Sequence, residues 1–147
     1  MKRRSYLVDL QTFRITHSTL IEHYQFIEAH LEGIYAVLSG KDFLSGLQDV
    51  EKNSLRHIVK EIKKIDASVF TGEEYEQLDR VFERRNFWCH NCYYDLVFDR
   101  KTQGPKKLED VEKMYADLRE AEDLRDELFA KKKRLMDLSR GMLCAWQ

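Results

Sequence analysis

Arg85, Asn86 and His90 fall close together in the segment Arg85-Asn86-Phe87-Trp88-Cys89-His90. An imidazole titrates at about pH 6.5 and can give or take a proton at neutral pH. A guanidinium is a planar, permanently charged donor that matches a phosphate or a developing oxyanion. Asn86 precedes His90 by one helical turn and could orient its ring. Arg80 and Arg84, also one turn apart, could extend a local positive groove for a phosphate backbone. The competing reading of Arg85 is structural: a snorkelling side chain, or a salt bridge to an acid on another helix.

The other reactive side chains are less organised. Cys89 and Cys92 form a lone Cys-x-x-Cys, with Cys144 far away. Zinc needs four ligands and usually a second pair, so buried free thiols suit these residues better than a metal site. His23 and His30, seven apart, flank an apolar stripe and read as partly exposed or capping histidines. No Glu-x-x-His pair, glycine-rich phosphate loop or Gly-x-Ser-x-Gly elbow is present. Di-iron, nucleotide-hydrolase and serine-hydrolase chemistry are therefore unsupported. No metal and no cofactor are expected.

The elements that position the motif are helical. The 147 residues contain six Gly and one Pro, too few turn residues for a sheet of hairpins. Leu20, Tyr24, Ile27, Leu31, Ile34 and Leu38 recur at steps of 4, 3, 4, 3 and 4, the spacing of one helical face. Thr19 and Glu22 suggest a capping box at its start, and Ser39-Gly40 its end; residues 5–17 could be extended or helical. A second stripe is Leu47, Val50, Leu55, Ile58, Ile62, Ile65 and Val69. Thr71 and Glu74 suggest the next capping box, opening a helix from about Glu73 to about Asp99 that is expected at the centre of the fold. Thr102-Gln103-Gly104-Pro105 is the clear breaker, with Pro near the start of the next helix. The last helix should run from about Leu108 to Leu138, its residues 109–127 holding nine acids and three bases. Lys131-Lys132-Lys133-Arg134 follows, as a solvated basic helix end or an RNA contact. The expectation is an all-α, up-and-down bundle of four long helices with a short fifth allowed, spanning 1–147 as one domain.

The core stripe of the helix that carries the motif reads Tyr75, Leu78, Phe82, Arg85, Cys89, Cys92 and Leu96, beside a more polar stripe of Asp79, Glu83, Asn86 and His90. From Phe82 to Phe98 apolar residues point in nearly every direction. A bundle buries one side of such a helix, so the other is expected to meet a second copy across a two-fold axis. In α-helical geometry Arg85 and His90 diverge by about 140°, which favours a site shared between two subunits.

Arg85-Asn86-Phe87-Trp88-Cys89-His90 resembles the Arg-x4-6-His signature of HEPN domains (higher eukaryotes and prokaryotes nucleotide-binding), many of which place Asn, Asp or His directly after the Arg. The resemblance could cover the whole chain. It implies a helical bundle of this size, a homodimer with the two motifs together, and metal-independent ribonuclease activity in a toxin or phage-defence effector, in some cases with a nucleotidyltransferase-type antitoxin. It also implies that Arg85, Asn86 and His90 are catalytic, with proton abstraction from a 2′-hydroxyl and charge stabilisation at the phosphorane. Arg80 and Arg84 would then contact RNA. The sequence departs from the subgroup modified on a His-x-Tyr tyrosine, because His90-Asn91-Cys92-Tyr93 stands there; that modification is not carried over to Tyr93 or Tyr94. The alternative is a non-catalytic helical interaction module that keeps the motif as an interface feature.

Net charge is −1, so any nucleic-acid site must be a local patch. No apolar run is long enough to span a membrane, and Asp9, Gln11 and Arg14 interrupt any signal-peptide core, so a cytoplasmic location is expected.

Overall fold

The computed structural model describes residues 2–105 and 111–145. It is an all-α helical bundle. Helix α1 (Lys2–Leu38) is followed by α2 (Phe43–Val50), α3 (Leu55–Ile65), a 3-10 turn (Ala67–Val69) and α4 (Gly72–Asn86). Two π-helical turns (Phe87–Asn91 and Tyr93–Val97) prolong α4, and α5 (Val111–Ala145) closes the order. Strands β1 (Phe98–Asp99) and β2 (Gly104–Pro105) pair antiparallel between them, Phe98 opposite Pro105. Pro105 thus stands in a strand and not in a helix's first turn; the expected helix start near Leu108 lies outside the described residues.

Two boundaries differ from the sequence expectation for physical reasons. Helix α1 does not begin at Thr19. Phe13 and Thr16 continue the apolar stripe down to Leu20, and all three are buried. Thr16 and Thr19 turn their hydroxyls back to the carbonyls of Thr12 and Ile15, at 2.9 and 3.2 Å, which satisfies them inside the helix. Thr19 therefore caps nothing. The second stripe breaks in two because its Val50-to-Leu55 step spans five residues, not three or four. There Ser54 caps α3 by accepting from the His57 N–H, and Asp42 caps α2 by accepting from the Ser45 N–H. The Thr71–Glu74 capping box forms in both directions, and α1 ends at Gly40 with φ +74°, where the left-handed conformation favours glycine.

Packing directions follow from cross-helix pairs. His23 meets Arg125 and His30 meets Lys132, so α1 and α5 run parallel. Arg84 meets Asp117 while Glu74 meets Lys131, so α4 runs against α5. Arg56 meets Asp79 and Glu83 while Lys63 meets Tyr75, so α3 also runs against α4. The principal seam is α1 on α5. Leu20, Tyr24, Ile27, Leu31 and Ile34 of α1 bury against Met114, Ala121, Leu124 and Leu128 of α5, with Ile58 and Ile62 of α3 and Leu78, Val81 and Phe82 of α4 completing the core. Helix α1, not the motif helix, is central. Helix α2 folds back tightly on α1. A Cβ on Gly46 would lie 2.8 Å from Ala36 Cα, a backbone contact that cannot give way cheaply.

The basic run on α5 is only half solvated. Lys131 donates to Glu74 and to the Val69 carbonyl, and Lys132 donates to His30 Nδ1 at 2.9 Å; Lys133 and Arg134 are exposed. His30 is 7% exposed and lies against Phe26 and Phe129. Burial, followed by the Lys132 and Arg125 charges, lowers its pKa from 6.5 to about 4. It is a neutral acceptor, not the partly exposed histidine that its spacing suggested.

Two outcomes follow. The unfolded chain takes up a proton at His30 near pH 6.5 while the folded chain resists until about pH 4. Stability should therefore fall as pH drops through that window, by on the order of 2 kcal/mol. Urea midpoints at pH 7 and pH 4.5 should show a fall that shrinks in His30→Gln. Gly46→Leu should destabilise by roughly 1–3 kcal/mol through overpacking, whereas Gly72→Ala, with no atom within 4 Å of its added Cβ, should be neutral or slightly stabilising in the same assay.

Candidate functional site

The site is built where α4 changes its winding. The Cys92 N–H bonds to Phe87 O, five residues back, and the Phe98 N–H to Tyr93 O in the same way. The Trp88 carbonyl, which an α-turn would have given to the Cys92 N–H, instead meets two side chains. It accepts from the Cys92 thiol at 3.1 Å and from His17 Nε2 of α1 at 2.7 Å; that contact requires the His17 proton on Nε2. His17 is also held between Phe13, stacked at 6.0 Å, and Tyr93, edge-on at 5.1 Å. Isolated π-turns inside α-helices cluster at functional sites, and this one begins inside the motif.

The anchor beneath it is buried. Trp88 is fully enclosed, and its Nε1–H donates to Asp117 Oδ2 at 2.7 Å. Asp117, 4% exposed, occupies an inward position in the apolar stripe of α5. Its other oxygen lies 3.3 Å from Arg84 Nε, and Arg84 also bonds Glu120 through Nη1. Arg80 Nε is 3.8 Å from Glu120 Oε1, a buried oxygen with no hydrogen bond among the described residues. Tyr24 of α1 lies in the same environment. Burial and then the Asp117 carboxylate hold its phenol far above its usual pKa, so it stays neutral.

This geometry separates the candidates. Arg84, expected to contact RNA, is turned inward onto Asp117 and Glu120, and Arg80 leans over Glu120. Arg85 is one-third exposed and lies 3.8 Å from Glu28 of α1. Asn86 and His90 are exposed. The expected core stripe holds at Leu78, Phe82 and Cys92, which are buried, but not at Arg85 and Cys89: Trp88 is buried where Cys89 was expected, and Cys89 faces solvent. The 140° divergence of Arg85 and His90 is that of an unbroken α-helix; the π-turn that begins at Phe87 lies between the two and alters it. The motif turn presents Asn86, Cys89, His90 and Tyr93 outward, with Phe87 half-buried under Lys113.

Cys89 and Cys92 point to different environments, and no group of three or more His, Cys, Asp or Glu is placed to hold a metal among the described residues. Partial burial pushes the Cys89 thiol up, against the pull of Arg85, which makes it a poor nucleophile.

No family model, curated protein or solved structure matches the chain. The HEPN resemblance therefore rests on the motif and its helical setting alone. No helix among the described residues is long and apolar enough to cross a membrane.

Sequence reasoning missed His17 and Asp117. His17 could have been found, since Phe13, His17, Leu20 and Tyr24 follow at steps of 4, 3 and 4. Asp117 carried a weaker signal: an acid midway between Met114 and Ala121 on the apolar face of a helix otherwise rich in exposed acids.

The two arginines should separate on mutation. Asp117→Ala leaves Arg84 and the Trp88 indole short of a buried partner and should cost about 3–5 kcal/mol. Arg85→Ala removes only a long, one-third-exposed pair and should cost less than about 1 kcal/mol. In a thermodynamic cycle with Arg84→Met, Asp117→Ala should show a coupling of about 1–3 kcal/mol. Additive losses would mean that the two side chains act separately.

Proposed function

We propose that the chain is a HEPN-like, metal-independent endoribonuclease, acting in the cytoplasm as a toxin or phage-defence effector. The observation that carries this reading is the π-turn at the motif, which leaves Asn86 and His90 solvent-exposed and Arg85 one-third exposed beside them. His90 would take the proton from a ribose 2′-hydroxyl as that oxygen attacks the adjacent phosphorus. Arg85 would meet the charge of the phosphorane, and the 5′-oxygen would leave with a proton from a second imidazole, His90 of the partner subunit. The products are a 2′,3′-cyclic phosphate and a free 5′-hydroxyl. Asn86 would orient His90. Glu28 holds Arg85 only weakly in the free protein, so a phosphate could replace it.

A homodimer fits the same surface. Cys89, His90 and Tyr93 lie outward next to half-buried Phe87, a mixed patch that a second copy would cover. The second reading is a non-catalytic interaction module. It is favoured by the engagement of Arg84 with Asp117 and Glu120, which takes that cation away from any RNA bound at the motif.

Purified protein incubated with total RNA and EDTA should cleave it. Arg85→Ala and His90→Ala should fold and dimerise normally and lose roughly 10²-fold or more in rate, the usual scale for an acid–base or oxyanion group. Wild-type cleavage by both variants would remove the catalytic reading and leave the interaction module. Cleavage abolished by EDTA and restored by Mg²⁺ would contradict metal independence.

A further inference from the structure

With Arg84 turned inward onto α5, an RNA strand reaching the motif needs further cations, and α3 has them. Its segment Leu55–Ile65 carries four bases, Arg56, Lys60, Lys63 and Lys64, against one acid, Glu61. That is a local charge of +3 in a chain of net charge −1. Lys64 is bonded to Glu61 at 2.9 Å. Arg56 reaches Asp79 and Glu83 only at 3.4 and 3.7 Å, all three being well exposed. Lys60 has no ion-pair partner among the described residues, and the Lys63 ammonium lies 4.9 Å from the Tyr75 ring centre.

Arg56, Lys60 and Lys63, with Asp79 opposite, border a groove of about 240 Å³ between α3 and α4, whose apolar lining is Val59, Leu78 and Phe82. Lys63 and Tyr75 mark one end, and Arg56 and Asp79 the other. That volume is below the roughly 300–1,000 Å³ that encloses a whole small ligand, and the groove is open along one side, so it suits a segment of a longer strand. The groove also points at the motif. Asp79 and Glu83 both face Arg56, and Asn86 follows on the same face of α4, about 6 Å beyond Phe82 at ~1.5 Å per residue.

We infer that the α3–α4 groove is a binding track for single-stranded RNA, with Lys60 and Lys63 on successive phosphates and a base lying between Tyr75 and the apolar lining. The inference rests on the ribonuclease reading for its choice of ligand. Aromatic and apolar walls flanked by lysines match a strand that alternates flat bases with phosphates. An acidic peptide would use the charges but leave the walls empty.

Binding and cleavage can be tested apart. A fluorescent single-stranded RNA 12-mer carrying 2′-O-methyl groups throughout lacks the attacking hydroxyl, so its affinity reports the groove alone. Lys60→Gln/Lys63→Gln should bind it about tenfold or more weakly at ~0.1 M salt. The slope of log affinity against log salt should shrink by about 1.4, the value for two single-strand phosphate contacts. The exposed pair Lys133→Gln/Arg134→Gln should bind as wild type. Equal losses in both double variants, or none in Lys60→Gln/Lys63→Gln, would overturn the track. Displacement of the RNA by poly-glutamate at equal charge would overturn it in favour of an acidic-peptide surface. A wild-type chain that binds the 12-mer through Lys60 and Lys63 but never cleaves natural RNA would keep the track and sink the ribonuclease reading. One that cleaves while its binding ignores both lysines would do the reverse.

Discussion

A carboxylate buried among apolar side chains sets the arrangement of this bundle. Asp117 sits on the inward stripe of α5, where an unpaired charge would be prohibitive. It is tolerated because Trp88 Nε1–H and Arg84 both reach it from the motif helix. The pairing is directional, unlike the apolar packing around it. A slip of α4 along α5 by one turn would leave the acid, the indole and the guanidinium all unmatched. The register of α4 on α5 is thereby fixed, and with it the positions of every motif residue from Arg80 to His90.

That constraint explains the winding change. Trp88 must point inward to Asp117, and Cys92 is also buried. The two are four apart and share a face, and the π-turn, by sending the Cys92 N–H to Phe87, frees the Trp88 carbonyl for His17. His17 ties the turn to α1, the element with the deepest core. The motif therefore stands on a support made by three helices, with Asn86, Cys89 and His90 turned outward. Arg84 and Arg85 are neighbours with opposite assignments. One neutralises a buried acid; the other rests loosely against Glu28 at the surface.

Much of the fold was readable. The stripe from Leu20 to Leu38, the Thr71–Glu74 box and the stop at Gly40 rest on local periodicity and local hydrogen bonds, and the structure contains all three. Residues 5–17 were not readable, because β-branched Thr12, Ile15 and Thr16 favour no single conformation on their own. Burial of Phe13 and Thr16 decided the matter. The split between α2 and α3 was present as a five-residue step, but a step of that kind can also be absorbed by a loop or a bulge. In the candidate site, the motif itself was legible. The partner of each arginine was not, since acids lie throughout α1 and α5 and only packing selects Glu28, Asp117 or Glu120.

Sequence by itself determined that most of the chain is helical, which face of α1 is apolar from Leu20 to Leu38, and that Arg85, Asn86 and His90 share a short segment. These properties depend on residues three and four apart, and the chain carries them wherever it goes. Tertiary structure alone decided that α1 and α5 run parallel, that Arg84 turns inward while Arg85 stays outward, and that the helix unwinds at Phe87. Each of those outcomes depends on a contact between residues far apart in the chain: His23 with Arg125, Trp88 with Asp117, His17 with the Trp88 carbonyl. Local periodicity holds no information about such pairs, because the free energy that selects them exists only once the helices are packed.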